Sequence, residues 1–194
     1  DEIKAMWEAN RDSAAKLGTK MHECIEYHYN GWPAPLAEGE APPDEFTRLF
    51  KVYEERVKQA DRQWSPYRTE WCVYDDEHKL TGSVDMLYQA DPNDDSKLVI
   101  VDWKRSKGLK YTSFNETGKG PLCMLPDCNF WHYSLQLNLY RWMLQKHYGK
   151  TIVGMYLVVL HPNQKEYIEK EVPLAELEIE EMLKLRKAEL VTTG

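Results

Sequence analysis

The chain has 194 residues, 42% of them hydrophobic, and a formal charge of −7 at neutral pH. That size suits one domain with a substantial core, no run approaches the ~18 consecutive apolar residues of a membrane span, and no charged-then-apolar leader opens the chain. The acidic balance argues against a protein that coats nucleic acid through a broad basic face, and a soluble protein is expected.

The opening segment reads as helix through about residue 29, with Leu17, Met21, Cys24, Ile25 and His28 on an apolar stripe that Gly18-Thr19 could kink. Four prolines crowd residues 33 to 43, which makes that stretch a loop. Asp44 is the natural N-cap of a second helix, in which Phe46, Leu49, Phe50, Tyr53 and Val57 recur at helical spacing. Three strands follow at about 67–74, 80–89 and 97–104, joined by the acidic turns Asp75-Asp76-Glu77 and 91–95. The second turn lacks the glycine of a calcium loop, since Ser96 stands in its place, and it leads into a strand rather than a helix.

Residues 105–129 form a long loop, a length that in a compact domain is functional or disordered. A third helix is expected over about 129–147, strands over 151–160 and 165–172, and a last amphipathic helix over 174–190. The order describes an α/β fold, a central mixed β-sheet flanked by helices, with a parallel crossover from the third strand through the third helix to the fourth strand. The chain opens on Asp1 rather than methionine, so residues 1–194 are expected to be a single domain, either cut from a longer polypeptide with other domains or a processed product.

Cys24, Cys72, Cys123 and Cys128 are too few and too scattered for a disulfide framework, which favours a reducing, intracellular compartment. Cys24 and Cys72 read as core positions, and Cys123-x4-Cys128 lacks the second close pair that would complete a four-thiolate metal site. Asn115-Glu116-Thr117 matches a glycosylation acceptor by pattern alone.

The chemistry concentrates in Gly82-Ser83-Val84-Asp85, Val101-Asp102-Trp103-Lys104 and Gln136-x-x-x-Tyr140. With a period of two, Leu98, Ile100, Asp102 and Lys104 share one face of their strand and Val99, Val101 and Trp103 the other. Antiparallel pairing of the second and third strands would bring Asp85 and Asp102 to a common edge. Two such acids offer the hard oxygen ligands that magnesium or manganese prefers, with zinc less suited. Lys104 could orient or acidify an attacking water, or offset charge that accumulates at phosphorus. Gln136 and Tyr140, four apart, share a helix face. His22 is a candidate ligand from the first helix, with Glu26 one turn on. Glu70 could provide a further acid near the metal but, at a strand start, is more simply a surface charge, and His132 and His161 are read as packing or strand-end residues. Between residues 104 and 119, Lys104, Arg105, Lys107, Lys110 and Lys119 face the single acid Glu116, a local sum of +4, which would draw phosphate towards an otherwise repelling pocket.

Gly18-Thr19-x-x-His22, Gly82-x-x-Asp85, Asp102-x-Lys104 and Gln136-x-x-x-Tyr140 together resemble the motifs of the PD-(D/E)XK nuclease superfamily, in particular its RecB-type exonuclease branch, over about residues 17–160. No proline precedes Asp85, a departure that leaves the ligand itself in place. The resemblance implies a restriction-endonuclease-like core and phosphodiester hydrolysis. It also implies one or two magnesium or manganese ions held by His22, Asp85, Asp102 and the carbonyl of Trp103, with Lys104, Asp102, Asp85, Gln136 and Tyr140 as the catalytic set. Some members of that branch bind an iron-sulfur cluster through one early and three late cysteines; the late ones are missing here, so no cluster is expected. DNA is favoured over RNA as the substrate, with end-processing as the mode and Arg105, Lys107, Lys110 and Lys119 as its contacts. Two alternatives remain at this point: an RNA endonuclease of the cap-snatching type, and a catalytically silent module that binds nucleic acid or protein.

Overall fold

The computed structural model describes residues 2–59 and 61–193. Helix α1 (Glu2–Tyr29) runs without a break through Gly18-Thr19, and a π-helical turn (Glu45–Phe50) continues directly into α2 (Lys51–Val57). The strands are β1 (Ser65–Asp75), β2 (Leu80–Asp91), β3 (Asp94–Lys104), β4 (Thr151–Val159) and β5 (Ile168–Glu171). Helix α3 (Asn129–His147) links β3 to β4, and α4 (Glu176–Thr193) follows β5. The sheet has the order β1-β2-β3-β4-β5; only β3 and β4 pair in parallel, as the intervening helix requires.

The expected alternation along β3 separates two cores. Val99, Val101 and Trp103 pack with Met21, Cys24 and Ile25 of α1 and with Phe50 and Tyr53 from the π-turn and α2. Leu98 and Ile100 pack on the other face with Leu137, Tyr140, Met143 and Leu144 of α3. β3 is therefore buried on both faces, as a central strand with a parallel neighbour should be. Trp103 anchors its carboxyl end. The indole is edge-on to Phe50 and Tyr53, at 5.6 and 5.3 Å between ring centroids, and that packing fixes the backbone where the strand runs out.

Several local expectations give way. Asp44 occupies the N-cap position but in helical geometry and without a capping bond; its carboxylate instead holds Arg48 one turn on, at 2.7 Å. Leu17 is exposed, because α1 meets the sheet only beyond it. Cys72 is exposed on edge strand β1, whereas Cys24 is buried. His132 is an exposed residue of the first turn of α3, paired with Asp127 at 2.6 Å, and not a packing residue.

Candidate active site

Asp85 and Asp102 converge where β2 leaves β3. The ladder between those strands runs to Met86↔Val101 and stops, so the next backbone N–H, that of Trp103, has no strand partner and donates to Asp85 Oδ2 at 2.9 Å. The Trp103 carbonyl lies 2.9 Å from His22 Nε2, while His22 Nδ1 lies 3.5 Å from Asp85 Oδ2. Helix α1 thus brings its imidazole against both strands, held there by Met21, Cys24 and Ile25 in the core behind it.

Glu70, read from the sequence as a surface charge, belongs to this cluster. Thr69↔Met86 and Trp71↔Val84 pair across β1 and β2, which sets Glu70 opposite Asp85, and Glu70 adopts φ +43°, in the left-handed region that non-glycine residues rarely visit. The irregularity turns its carboxylate inward, 3.9 Å from His22 Nδ1, and Ser83 Oγ donates to it at 2.8 Å. Backbone strain of this kind costs on the order of 1–3 kcal/mol and persists where surrounding contacts enforce it. Ligand atoms of His22, Glu70 and Asp85 lie within 4.8 Å of one another. Glu26 adds no further ligand at that spacing and lines an open acidic cleft beside the cluster with Glu23 and Glu70.

On the other side Lys104 Nζ is 2.7 Å from Asp102 Oδ2 and 4.7 Å from the centre of the Tyr133 ring. Gln136 Nε2 donates to Tyr140 OH at 2.9 Å. Asn129, Tyr133, Gln136 and Tyr140 follow one another at spacings of four, three and four, so one face of α3 walls the site. Tyr133 was not singled out by the sequence; its membership of the i, i+3/i+4 row through Gln136 and Tyr140 was the available signal. Gly82 is required for this wall. A Cβ there would lie 2.4 Å from Tyr140 Cε1 and 2.8 Å from its hydroxyl.

Three carboxylates face one ammonium and one imidazole, and the electrostatics show the excess. Burial, reinforced by the Asp102 charge, pushes the Asp85 carboxyl up to about 7. Burial likewise raises Asp102, although the adjacent Lys104 works against the shift. For His22 burial opposes the charged ring, but the neighbouring Glu70, Asp85 and Asp102 outweigh it and the pKa is raised. Lys104 shows the same balance, with Asp102 and Asp85 overcoming its burial, so it is an ammonium ion at neutral pH. Burial also raises Tyr140, which remains a phenol. Asp102 Oδ2 is buried with the Lys104 ammonium 2.7 Å away, and among the described residues no donor meets it with hydrogen-bond geometry. A buried acceptor left so, among hard oxygen and nitrogen donors, fits a divalent cation.

The flanking cations divide. Arg105 is half-buried and bound to the buried carboxylate of Glu45, an ion pair that joins the loop to the π-turn. It is therefore tied to the fold, which sets it apart from the other expected nucleic-acid contacts. Lys107, Lys110 and Lys119 are exposed and, among the described residues, make no ion pair. A second group, Asp75 with His78 and His147, lies at the far end of β1: both oxygens of the buried Asp75 are taken, at 2.6 Å by His78 Nδ1 and 2.7 Å by His147 Nε2. It reads as a structural knot, since Arg186 of α4 also bonds the His78 carbonyl there.

No curated protein matches the chain in sequence. Among solved structures, a protein from Eubacterium rectale provisionally described as an exonuclease is similar at 9% identity with a TM-score of 0.54, over 91% of this chain and 65% of that one. A second, SSO0001, shares 18% identity over 72% of this chain and 56% of its own, with a TM-score of 0.32 that supports no argument. The chain thus spans less than two thirds of either structure, and the first likeness bears on the fold alone. A sequence model of the PD-(D/E)XK nuclease superfamily matches residues 44–191, which takes in Glu70, Asp85, Asp102, Lys104, Gln136 and Tyr140 but begins beyond His22. With about three quarters of its length matched and a mixed sheet between helices as its fold, the chain belongs to the PD-(D/E)XK nuclease superfamily.

Proposed function

We propose that this chain is a magnesium- or manganese-dependent nuclease that hydrolyses phosphodiester bonds of DNA, working from strand ends. One observation carries the reading: His22, Glu70 and Asp85 lie within ligand reach of one another around the Trp103 peptide, beside the Asp102–Lys104 pair at the end of β3. His22, Asp85, Asp102 and the Trp103 carbonyl would hold the ion, with Glu70 beside them. A bound divalent ion supplies Lewis-acid stabilisation of the phosphoryl oxygens and a more acidic water.

The remaining work falls to the chain itself. Lys104, charged and oriented by Asp102 and Tyr133, places a proton donor and a positive charge where negative charge grows on the phosphate oxygens. Tyr140, fixed by Gln136, holds the wall of the site and offers its hydroxyl to a phosphate oxygen. Asp85 keeps the Trp103 backbone in register, so that the carbonyl stays turned into the site. Lys107, Lys110 and Lys119 supply a cationic approach that the acidic cleft of Glu23, Glu26 and Glu70 does not. Preference for DNA and for ends draws on the Gln136-x-x-x-Tyr140 motif of RecB-type nucleases and on the provisional description of the Eubacterium rectale protein.

Labelled single-stranded and duplex DNA and RNA, incubated with magnesium, manganese or EDTA, test the proposal. Metal-dependent shortening of DNA from its ends is expected. Internal cuts confined to RNA would favour the cap-snatching type of endonuclease, and no cleavage of any substrate would leave a binding module.

A further inference from the structure

The loop between β3 and α3 presents a feature that the hydrolytic site does not use. Phe114 is fully exposed, at 103% of its reference surface. It stands at the apex of a tight turn: Asn115 adopts φ +61°, Asn115 N bonds back to the Ser113 carbonyl at 2.8 Å, and Ser113 Oγ donates to the carbonyl of Glu116. The ring is thus presented by a bonded turn instead of being tucked against the body. It borders a cleft of about 440 Å³ that is also lined by Lys110, Thr112, Glu116, Cys128, Asn129 and the Asp127–His132 pair. That volume lies in the range of small-ligand pockets. With Asp127 bound to His132, the cleft offers one phenyl plane beside the Lys110 ammonium and the Glu116 carboxylate, which suits a flat heteroaromatic ring with hydrogen-bonding edges and its phosphate on Lys110.

The cleft is joined to the hydrolytic site through α3. Asn129 holds the loop by accepting from Lys110 N at 2.7 Å and donating to the Gly108 carbonyl at 3.3 Å. One helical turn on, ~6 Å along the axis, Tyr133 contacts Lys104. We infer that the Phe114 cleft is a nucleobase subsite: an unpaired base of the substrate stacks on Phe114 with its phosphate on Lys110, so that the enzyme selects single-stranded nucleic acid. Bases paired in a duplex are already stacked and do not offer a free face to the ring. The inference rests on the nuclease reading and specifies the substrate class of that site.

The test measures binding of fluorescent single-stranded and hairpin-duplex oligonucleotides in the presence of manganese, in a Lys104→Ala background that prevents turnover. Phe114→Ala is expected to weaken single-strand binding about tenfold, the size of one lost base stack, with less than a twofold change for the duplex. Phe114→Trp should restore affinity, and its emission should be quenched by the single strand. Unchanged single-strand affinity in Phe114→Ala, or an equal loss on the duplex, would overturn the inference. So would unchanged affinity accompanied by an altered sedimentation coefficient, which would make Phe114 a protein contact. If the Phe114 variant alone behaves as wild type while metal-dependent cleavage persists, only the subsite fails; if the unmutated chain neither binds nor cleaves nucleic acid, the nuclease reading fails with it.

Discussion

Asp85 Oδ2 accepts the backbone N–H of Trp103 at 2.9 Å, and the carbonyl of the same Trp103 faces His22. One carboxylate therefore serves two ends: it closes the strand edge that β2 vacates and it faces the proposed cation site. The two demands conflict energetically, because the group that completes the sheet is a buried charge.

Replacement of Asp85 separates them. Its carboxyl keeps a proton up to about pH 7 in the folded chain, against 3.8 for the ordinary side chain. Between those values the folded state binds more protons than the unfolded one, so metal-free stability falls as pH rises through that window. The raised His22 acts in the same direction, since its contribution is present below its usual pKa of 6.5 and is lost as pH rises through the folded value. Asp85→Asn keeps an oxygen for the Trp103 N–H and removes the charge. Thermal melts in EDTA should show wild type losing stability from pH 5 to pH 8 and Asp85→Asn more stable at pH 8, by roughly 1–3 kcal/mol, with cleavage abolished.

The Gly82–Tyr140 contact predicts a clash that a second substitution relieves. Gly82→Ala drives a methyl group into the Tyr140 ring and should cost roughly 1–3 kcal/mol of stability together with most of the activity. In a Tyr140→Ala background the same change should cost little stability. A double-mutant cycle by denaturant melts checks this, and additive losses would mean that the two positions do not meet.

Arg105 and the three free lysines should behave differently when mutated. Arg105→Ala leaves the buried Glu45 carboxylate unpaired, and a loss of ~3 kcal/mol in stability is expected. Lys107→Ala, Lys110→Ala and Lys119→Ala should leave the melting temperature within about a degree. Each should weaken binding and lower the salt dependence of log Kd by about one unit.

Much of this site could be read from the chain before its structure. The period of two placed Asp102 and Lys104 on one face, and the spacing of four placed Gln136 beside Tyr140, because both follow from local backbone geometry. Glu70 could not be read that way: its inward turn depends on a φ of +43° that ordinary strand periodicity does not contain. The structural bond of Arg105 could not be read either, because its partner, Glu45, lies sixty residues earlier in a π-turn that reads as plain helix. Asp75 looked like a turn charge, and only the meeting of the β1–β2 turn with the end of α3 reveals His78 and His147 on its two oxygens.

That knot lies away from the hydrolytic site and predicts a different phenotype. His147→Ala leaves one oxygen of the buried Asp75 without its donor, at a cost of roughly 1–3 kcal/mol. The melting temperature should fall, while kcat at a temperature where the variant stays folded should match wild type. A selective loss of kcat would place the knot in the catalytic machinery.

Whether His22, Asp85 and Asp102 hold a divalent ion is decided by manganese titration of the metal-free protein, followed by calorimetry or by the free-ion electron spin signal. Saturable binding is expected, competed away by magnesium and strengthening as pH rises through about 7, where Asp85 gives up its proton. It should vanish in both Asp85→Ala and Asp102→Ala while their circular dichroism is unchanged. Equal manganese affinity in wild type and in a folded Asp102→Ala variant would refute the metal site and the hydrolytic mechanism built on it.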